Sequence, residues 1–227
     1  MKRQRVDVTE LEFSILTHEV PDNAVKLYNN CFQLWKTLWN ETFEELGEEK
    51  KVDADEFHVL NELCILHMGE IPIGLISIKW IDLLLEPTLS TSYFKSFPEE
   101  TLEKLKQNDL NKVGGIGNLV FSKQYRRSNS NIPWAELLVG LCMKRVFEAG
   151  GKSSLCYTRN NRGVDKLAYT YGGNALWKKL VRHNVEVDII TMQKKNFKES
   201  DRPEVQEWTE ILWENRNPHE FSLKVAA

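Results

Sequence analysis

The densest chemical signal in the chain is Lys123-Gln124-Tyr125-Arg126-Arg127-Ser128-Asn129-Ser130-Asn131-Ile132-Pro133, two arginines followed by four small polar residues and then a proline. Pro133 suits the first position of a helix, where its missing N–H costs nothing. Trp134, Leu137, Leu138, Leu141, Cys142 and Val146 continue that helix as an apolar stripe until Gly150-Gly151 closes it. Before the loop, Val113 to Ser122 reads as a strand. A strand, a basic polar loop and a helix make an anion site, because the free N–H groups of a helix start point outward with a favourable dipole. The plainer alternative is an exposed basic turn beside a well-capped helix. Gly114-Gly115-Ile116-Gly117 is not a dinucleotide fingerprint, since its glycines precede the strand segment instead of opening a helix. A bulge or a close backbone approach accounts for them better.

These residues belong to an elaborated single domain spanning residues 1–227, 41% hydrophobic and 28% charged. With 30 basic and 33 acidic side chains the formal charge is -3, so no global field attracts nucleic acid or an anionic membrane, and any anion site must be local. The basic start Met1-Lys2-Arg3-Gln4-Arg5 is followed by no apolar signal-peptide core, and no apolar run is long enough to span a bilayer. Cys31, Cys64, Cys142 and Cys156 are widely spaced within apolar segments, which predicts reduced core residues, no metal site and a cytoplasmic protein.

The elements that must position the loop follow from periodicity. Leu11–Val20 reads as a first strand, and Leu27, Tyr28, Cys31, Leu34, Trp35, Leu38, Trp39, Phe43 and Leu46 as one helical face closed by Gly47, a long helix or two in series. Phe57–Leu66 and Ile71–Trp80 read as a hairpin across His67-Met68-Gly69-Glu70. Residues 82–112 form a long connection with a short helix at Glu99–Gln107, of a length that suits a lid or binding insertion. Leu155–Thr158 is a strand, Val164–Tyr171 a helix ended by Gly172-Gly173, and Leu176–Leu180 and Val185–Met192 are strands. In the tail at 198–227, Pro203–Trp213 reads as an amphipathic helix.

This order, from Leu11 to Phe197, resembles that of the GNAT superfamily of N-acyltransferases. The resemblance implies an α/β (mixed α+β) fold with a central mixed, mostly antiparallel sheet flanked by helices and a long insertion between strands 3 and 4. In that family a loop of the form Arg/Gln-x-x-Gly-x-Gly/Ala wraps the pyrophosphate of acyl-coenzyme A. The matching window here is Arg126, Arg127, Ser128, Asn129, Ser130 and Asn131, with asparagine at both glycine positions. Asn is the side-chain-bearing residue that best tolerates left-handed backbone, and Ser and Asn can donate to phosphate. The family pattern Asn-x-x-Ala-x-x-Leu-Tyr-x-x-x-Gly-Phe is met by Asn161, Leu167 and Gly172. Val164 stands at the Ala position, Ala168 at the Tyr position and Gly173 at the Phe position.

The resemblance therefore implies acetyl-CoA or another acyl-CoA as co-substrate, direct transfer to a small-molecule or peptide amine, and no metal. Leu119, Val120 and Phe121 match the positions that polarise the thioester carbonyl and pair with pantetheine. Tyr169, one place late, is the candidate acid for the leaving thiolate, with Tyr171 or solvent as substitutes. Glu62 is the candidate base, against ordinary strand-edge solvation; His58 and His67 rank below it.

Two other readings stand beside this one. Asp53-x-Asp55-x-Phe57 and Pro87-Thr88-Leu89 with Phe94 are similar to stretches of the acyl-homoserine-lactone synthases, which draw on acyl carrier protein and would suggest an acyl amino acid or signal synthase. That family's arginines and Glu-x-Ser-Arg are not met here, where their positions hold Trp35-Lys36, Ser77 and Gly115-Ile116-Gly117-Asn118, which disfavours lactone formation and leaves a long-chain acyl donor open. The third reading is a catalytically inactive GNAT-like fold that binds a ligand or partner. Leu83, Leu84, Leu85, Leu89, Tyr93, Phe94 and Phe97 make residues 82–112 too apolar for a solvated loop, so the segment covers a pocket, extends the core or forms a homodimer contact.

Overall fold

In the computed structural model, residues 10–125 and 132–217 are described. Their elements run β1 (Glu12–Leu16), α1 (Val25–Glu45), α2 (Ala54–His58), β2 (Glu62–Met68), β3 (Ile71–Asp82), α3 (Glu86–Leu89), α4 (Ser92–Lys95) and α5 (Glu99–Gln107). The chain continues through β4 (Lys112–Phe121), α6 (Trp134–Glu148), β5 (Ser153–Arg159), α7 (Val164–Thr170), β6 (Asn174–Arg182), β7 (Val185–Gln193) and α8 (Pro203–Glu214). The strands form a seven-stranded sheet in the order β1-β2-β3-β4-β5-β7-β6. β4 and β5 pair in parallel, while β1–β2, β2–β3, β5–β7 and β6–β7 are antiparallel. This is the mixed, mostly antiparallel sheet expected, with the long insertion between β3 and β4. No helix among the described residues is long and apolar enough to cross a membrane.

By compactness the described residues divide into two units, one running through residue 78 and resuming over 117–143 and from 199, the other comprising 79–116 and 144–198. Both changeovers in the first half fall inside strands, β3 and β4.

In the first unit, Leu27, Cys31, Trp35 and Phe43 of α1 bury one helical stripe against Leu16, Leu63, Ile65 and Leu75. The spacing of those four residues is why the 21-residue segment is one continuous helix. Two boundaries differ from the sequence reading. β1 stops at Leu16, where Thr17 Oγ1 accepts from the Glu19 amide at 3.3 Å and turns the chain locally. Phe57 was expected to begin a strand and instead lies in α2. Asp53 caps that helix by accepting from the Asp55 amide at 3.0 Å, and the Phe57 ring packs 5.1 Å from Trp35 and 5.4 Å from Phe32. Tertiary packing outweighs the β preference of an aromatic residue here.

The second unit has its own core, in which Leu83, Phe94, Phe97 and Leu105 of the insertion join Leu155, Leu176 and Ile189 of the sheet. Phe94 and Phe97 have ring centroids 4.9 Å apart, and Phe97 meets Tyr157 of β5 edge-on at 5.0 Å. The Tyr157 hydroxyl donates to the Tyr93 carbonyl at 3.1 Å, and Lys104 Nζ donates to the Leu176 carbonyl at 3.1 Å. Much of the insertion's apolar surface thus extends the core, while Leu84 and Leu85 remain exposed. All four cysteines are buried thiols outside any disulfide.

Candidate functional site

β4 changes character along its length. Val113 to Ile116 are buried, and the register pairs of β4 with β5 are Gly114↔Ser154 and Gly115↔Leu155. The glycines permit close approach: a Cβ on Gly115 would sit 2.5 Å from Ile81 Cδ1, and one on Gly114 would sit 3.0 Å from Val146 Cγ2. Asn118 then adopts φ +57°, a left-handed kink inside the strand that Asn accepts more readily than other side chains. Beyond it Leu119, Val120 and Phe121 are each half-buried.

Three hydrogen bonds hold the kink. Trp35 Nε1 donates to Asn118 Oδ1 at 3.1 Å, Asn118 Nδ2 donates to Ser77 Oγ at 2.9 Å, and Ser77 Oγ donates to the Gly117 carbonyl at 3.1 Å. Past the kink the Phe121 ring fills the space over Gly74, where a Cβ would clash with it, and the Ser122 amide donates to the Ile73 carbonyl at 2.9 Å. The sequence reading had found the glycines and missed Asn118, although an Asn directly after Gly-Ile-Gly was a legible left-handed signal.

Arg126, Arg127, Ser128, Asn129, Ser130 and Asn131 lie outside the described residues. Both ends of that loop are anchored. Tyr125 is buried, its amide donates to the Ser122 carbonyl at 3.0 Å, and its ring meets the buried Trp134 edge-on at 6.3 Å. α6 begins at Trp134, one residue later than Pro133 led us to expect, and the Pro133 carbonyl accepts from the Leu137 amide at 3.1 Å. Glu136, in the first turn, is engaged by Ser200 Oγ at 3.0 Å and Arg202 Nε at 3.3 Å. Glu62 is fully buried at the start of β2, opposite Ile78, and is not a solvated strand edge.

The second unit carries Asn161 and Tyr169. Asn161 is exposed and its Oδ1 accepts from Arg159 Nε at 3.3 Å. On α7 the family's tyrosine position, Ala168, is buried, so a tyrosine there would enter the core. The Tyr169 hydroxyl donates to Asp188 Oδ2 at 2.5 Å, and Asp188 Oδ1 accepts from Asn160 Nδ2 at 3.1 Å and from the Lys179 amide at 2.9 Å. Burial pushes the Tyr169 phenol up, and the Asp188 carboxylate pushes it further. Burial alone would raise the Asp188 carboxyl, but the bonds from Tyr169, Lys179 and Asn160 outweigh it and hold the group below the usual carboxylate range. Tyr171 is buried and stacked on Phe197 at 5.6 Å, as a core residue. Asp188 escaped the sequence reading; its only signal was an acid inside an apolar strand. No cluster of three metal-ligating side chains occurs among the described residues.

No family model and no curated protein sequence matches the chain. Solved structures do match in fold. FeeM, an N-acyl amino acid synthase from uncultured soil microbes, aligns at 14% identity over 82% of this chain and 93% of its own, with a TM-score of 0.56. The coenzyme-A-dependent acyl-homoserine lactone synthase BjaI, with MTA, aligns at 9% identity over 91% of both chains, with a TM-score of 0.59. A putative N-acetyltransferase from Lactobacillus plantarum aligns at 13% identity over 80% of this chain and 98% of its own, with a TM-score of 0.51. At these identities the likeness is one of fold: the chain has a GNAT-like fold.

Proposed function

We propose that the protein transfers an acyl group from acyl-coenzyme A directly to the amine of a small molecule or peptide. The observation that carries this reading is the end of β4, where a left-handed kink at Asn118 is followed by three half-buried residues leading into the basic loop before α6. Backbone N–H groups in such a segment can polarise a thioester carbonyl and stabilise the oxyanion that forms when an amine attacks it. As the tetrahedral adduct collapses, a C–N bond has formed, the C–S bond breaks, the amine loses a proton and the thiolate gains one. Arg126, Arg127 and the helix-start amides supply charge-assisted donors for a pyrophosphate.

The leaving thiolate has a pKa near 8.5 by analogy with free Cys, so a protein acid adds little at neutral pH. The reading therefore does not depend on Tyr169. Glu62 remains the proposed base. The test is isothermal titration with coenzyme A, followed by a mass-spectrometric screen of amines with short- and long-chain acyl-CoA. One-to-one binding and an acylated product support the reading, and absence of binding rejects it. A second reading, binding without turnover, is favoured by the asparagines at both glycine positions of the loop, Asn129 and Asn131. Tight coenzyme A binding with no product from any amine would place it first.

A further inference from the structure

Trp35, Ser77 and Asn118 come from α1, β3 and β4, far apart in sequence, and all lie within the first unit. Their hydrogen bonds have one consistent direction. The Trp35 indole N–H can only donate, so it fixes the Asn118 amide with Oδ1 toward α1. Asn118 Nδ2 must then face Ser77 Oγ, and the Ser77 hydroxyl proton is left for the Gly117 carbonyl. The relay begins at Trp35 and ends on the Gly117 carbonyl, immediately before Asn118, so the kink is held both by its side chain and by the preceding carbonyl.

Glycine would adopt φ +57° at lower cost, so backbone conformation alone does not explain an asparagine at this position. The Trp35 anchor is itself rigid: it is 2% exposed and its ring packs 6.1 Å from Phe32 and 5.1 Å from Phe57.

We propose that Trp35, Asn118 and Ser77 are positioning residues that clamp α1 and β3 onto the kink of β4 and so fix the direction in which the backbone of residues 119–121 is presented. The catalytic consequence rests on the acyl-transfer reading; the clamp itself does not. The side chains touch no reacting atom in this account and act only through the strand.

The experiment compares Asn118→Gly, Ser77→Ala, Trp35→Phe and the double variant Trp35→Phe/Asn118→Gly in the full chain. Asn118→Gly keeps the left-handed backbone and removes the relay, and Ser77→Ala is the mildest change should Trp35→Phe fail to fold. Hydrogen exchange of amides 119–121 in the free protein should quicken on the order of tenfold in each single variant. The double variant should be no worse than the worse single, as expected for one coupled device. With an amine acceptor, kcat should fall on the order of 10²-fold, the scale of an ångström of misplacement. With kcat counted per folded molecule, KM for the acyl donor should stay within about threefold, the split expected when only stabilisation of the transition state is lost. Unchanged exchange and kcat in Asn118→Gly, or additive losses in the double variant, would overturn the proposal. If the unaltered protein acylates no amine, the acyl-transfer reading is lost and the exchange measurement alone decides the clamp by the same criterion.

Discussion

At the scale of single residues, two side chains stand in unusual settings, Asn118 in a left-handed kink and Asp188 buried as an acid within a strand. Asn118→Ala should destabilise the fold by more than Asn118→Gly, because alanine forfeits the relay and also meets the left-handed penalty of about 1–2 kcal/mol. Chemical denaturation of the two variants checks the order. Tyr169→Phe strips Asp188 of one of its three donors. It should cost about 1–3 kcal/mol of stability, the range for leaving a buried polar group short of a partner. Its effect on turnover should be smaller than the roughly 10²-fold that marks the low end for a true acid–base group.

The pH dependence follows from the same pair. Asp188 has a folded pKa below its unfolded value of about 3.9, so its contribution is complete above that pH and is lost as pH falls through the folded value. Tyr169 has a folded pKa above its unfolded value of about 10, so its contribution is complete below that pH and is lost as pH rises through the folded value. The stability advantage over Asp188→Asn should therefore be flat near neutrality and shrink below about pH 4, which thermal melts across the acid range will show. Neither residue was legible in the sequence as a partner, since a hydrogen bond between residues 19 apart depends on the register of β6, β7 and α7.

At the scale of elements, periodicity was a reliable guide where burial is one-sided. The stripes of α1 and α6 predicted both helices within a few residues, since each must bury one face. Phe57 shows the limit: its β preference is weak against an Asp cap and an aromatic pocket that only the fold assembles. The insertion shows another. Its leucines and aromatics announced burial, yet sequence could not say whether they cover a pocket or build a core, and Phe94 and Phe97 build a core. Phe97→Ala should accordingly cost about 3–5 kcal/mol of stability, measurable by urea unfolding; a loss near zero would return that residue to a lid.

On the acyl-transfer proposal, donor binding depends on the loop between β4 and α6. Arg126→Glu should weaken coenzyme A binding by about 1–3 kcal/mol, the worth of a charge-assisted hydrogen bond. The fold should stay intact, because Tyr125 and Trp134 anchor the loop's ends independently. Calorimetry and a melting curve separate the two effects.

At the scale of the whole molecule, a net charge of -3 leaves no general attraction for polyanions, so any phosphate site must be local, and the proposal places it at the basic loop before α6. The strand order, with β4 and β5 parallel, gives the chain a fold shared with proteins named for acyl transfer, at 9% to 14% identity. The fold was readable from element order because that order leaves few topologies open. The acceptor was not, because its recognition rests on side chains no local pattern marks. Titration of coenzyme A into the full chain, beside the Arg126→Glu variant, bears most directly on the central claim. The account predicts one site per chain, weakened about 5- to 150-fold by the substitution. Absence of binding by coenzyme A and by acyl-CoA of any chain length, or equal affinity in the two proteins, would contradict it.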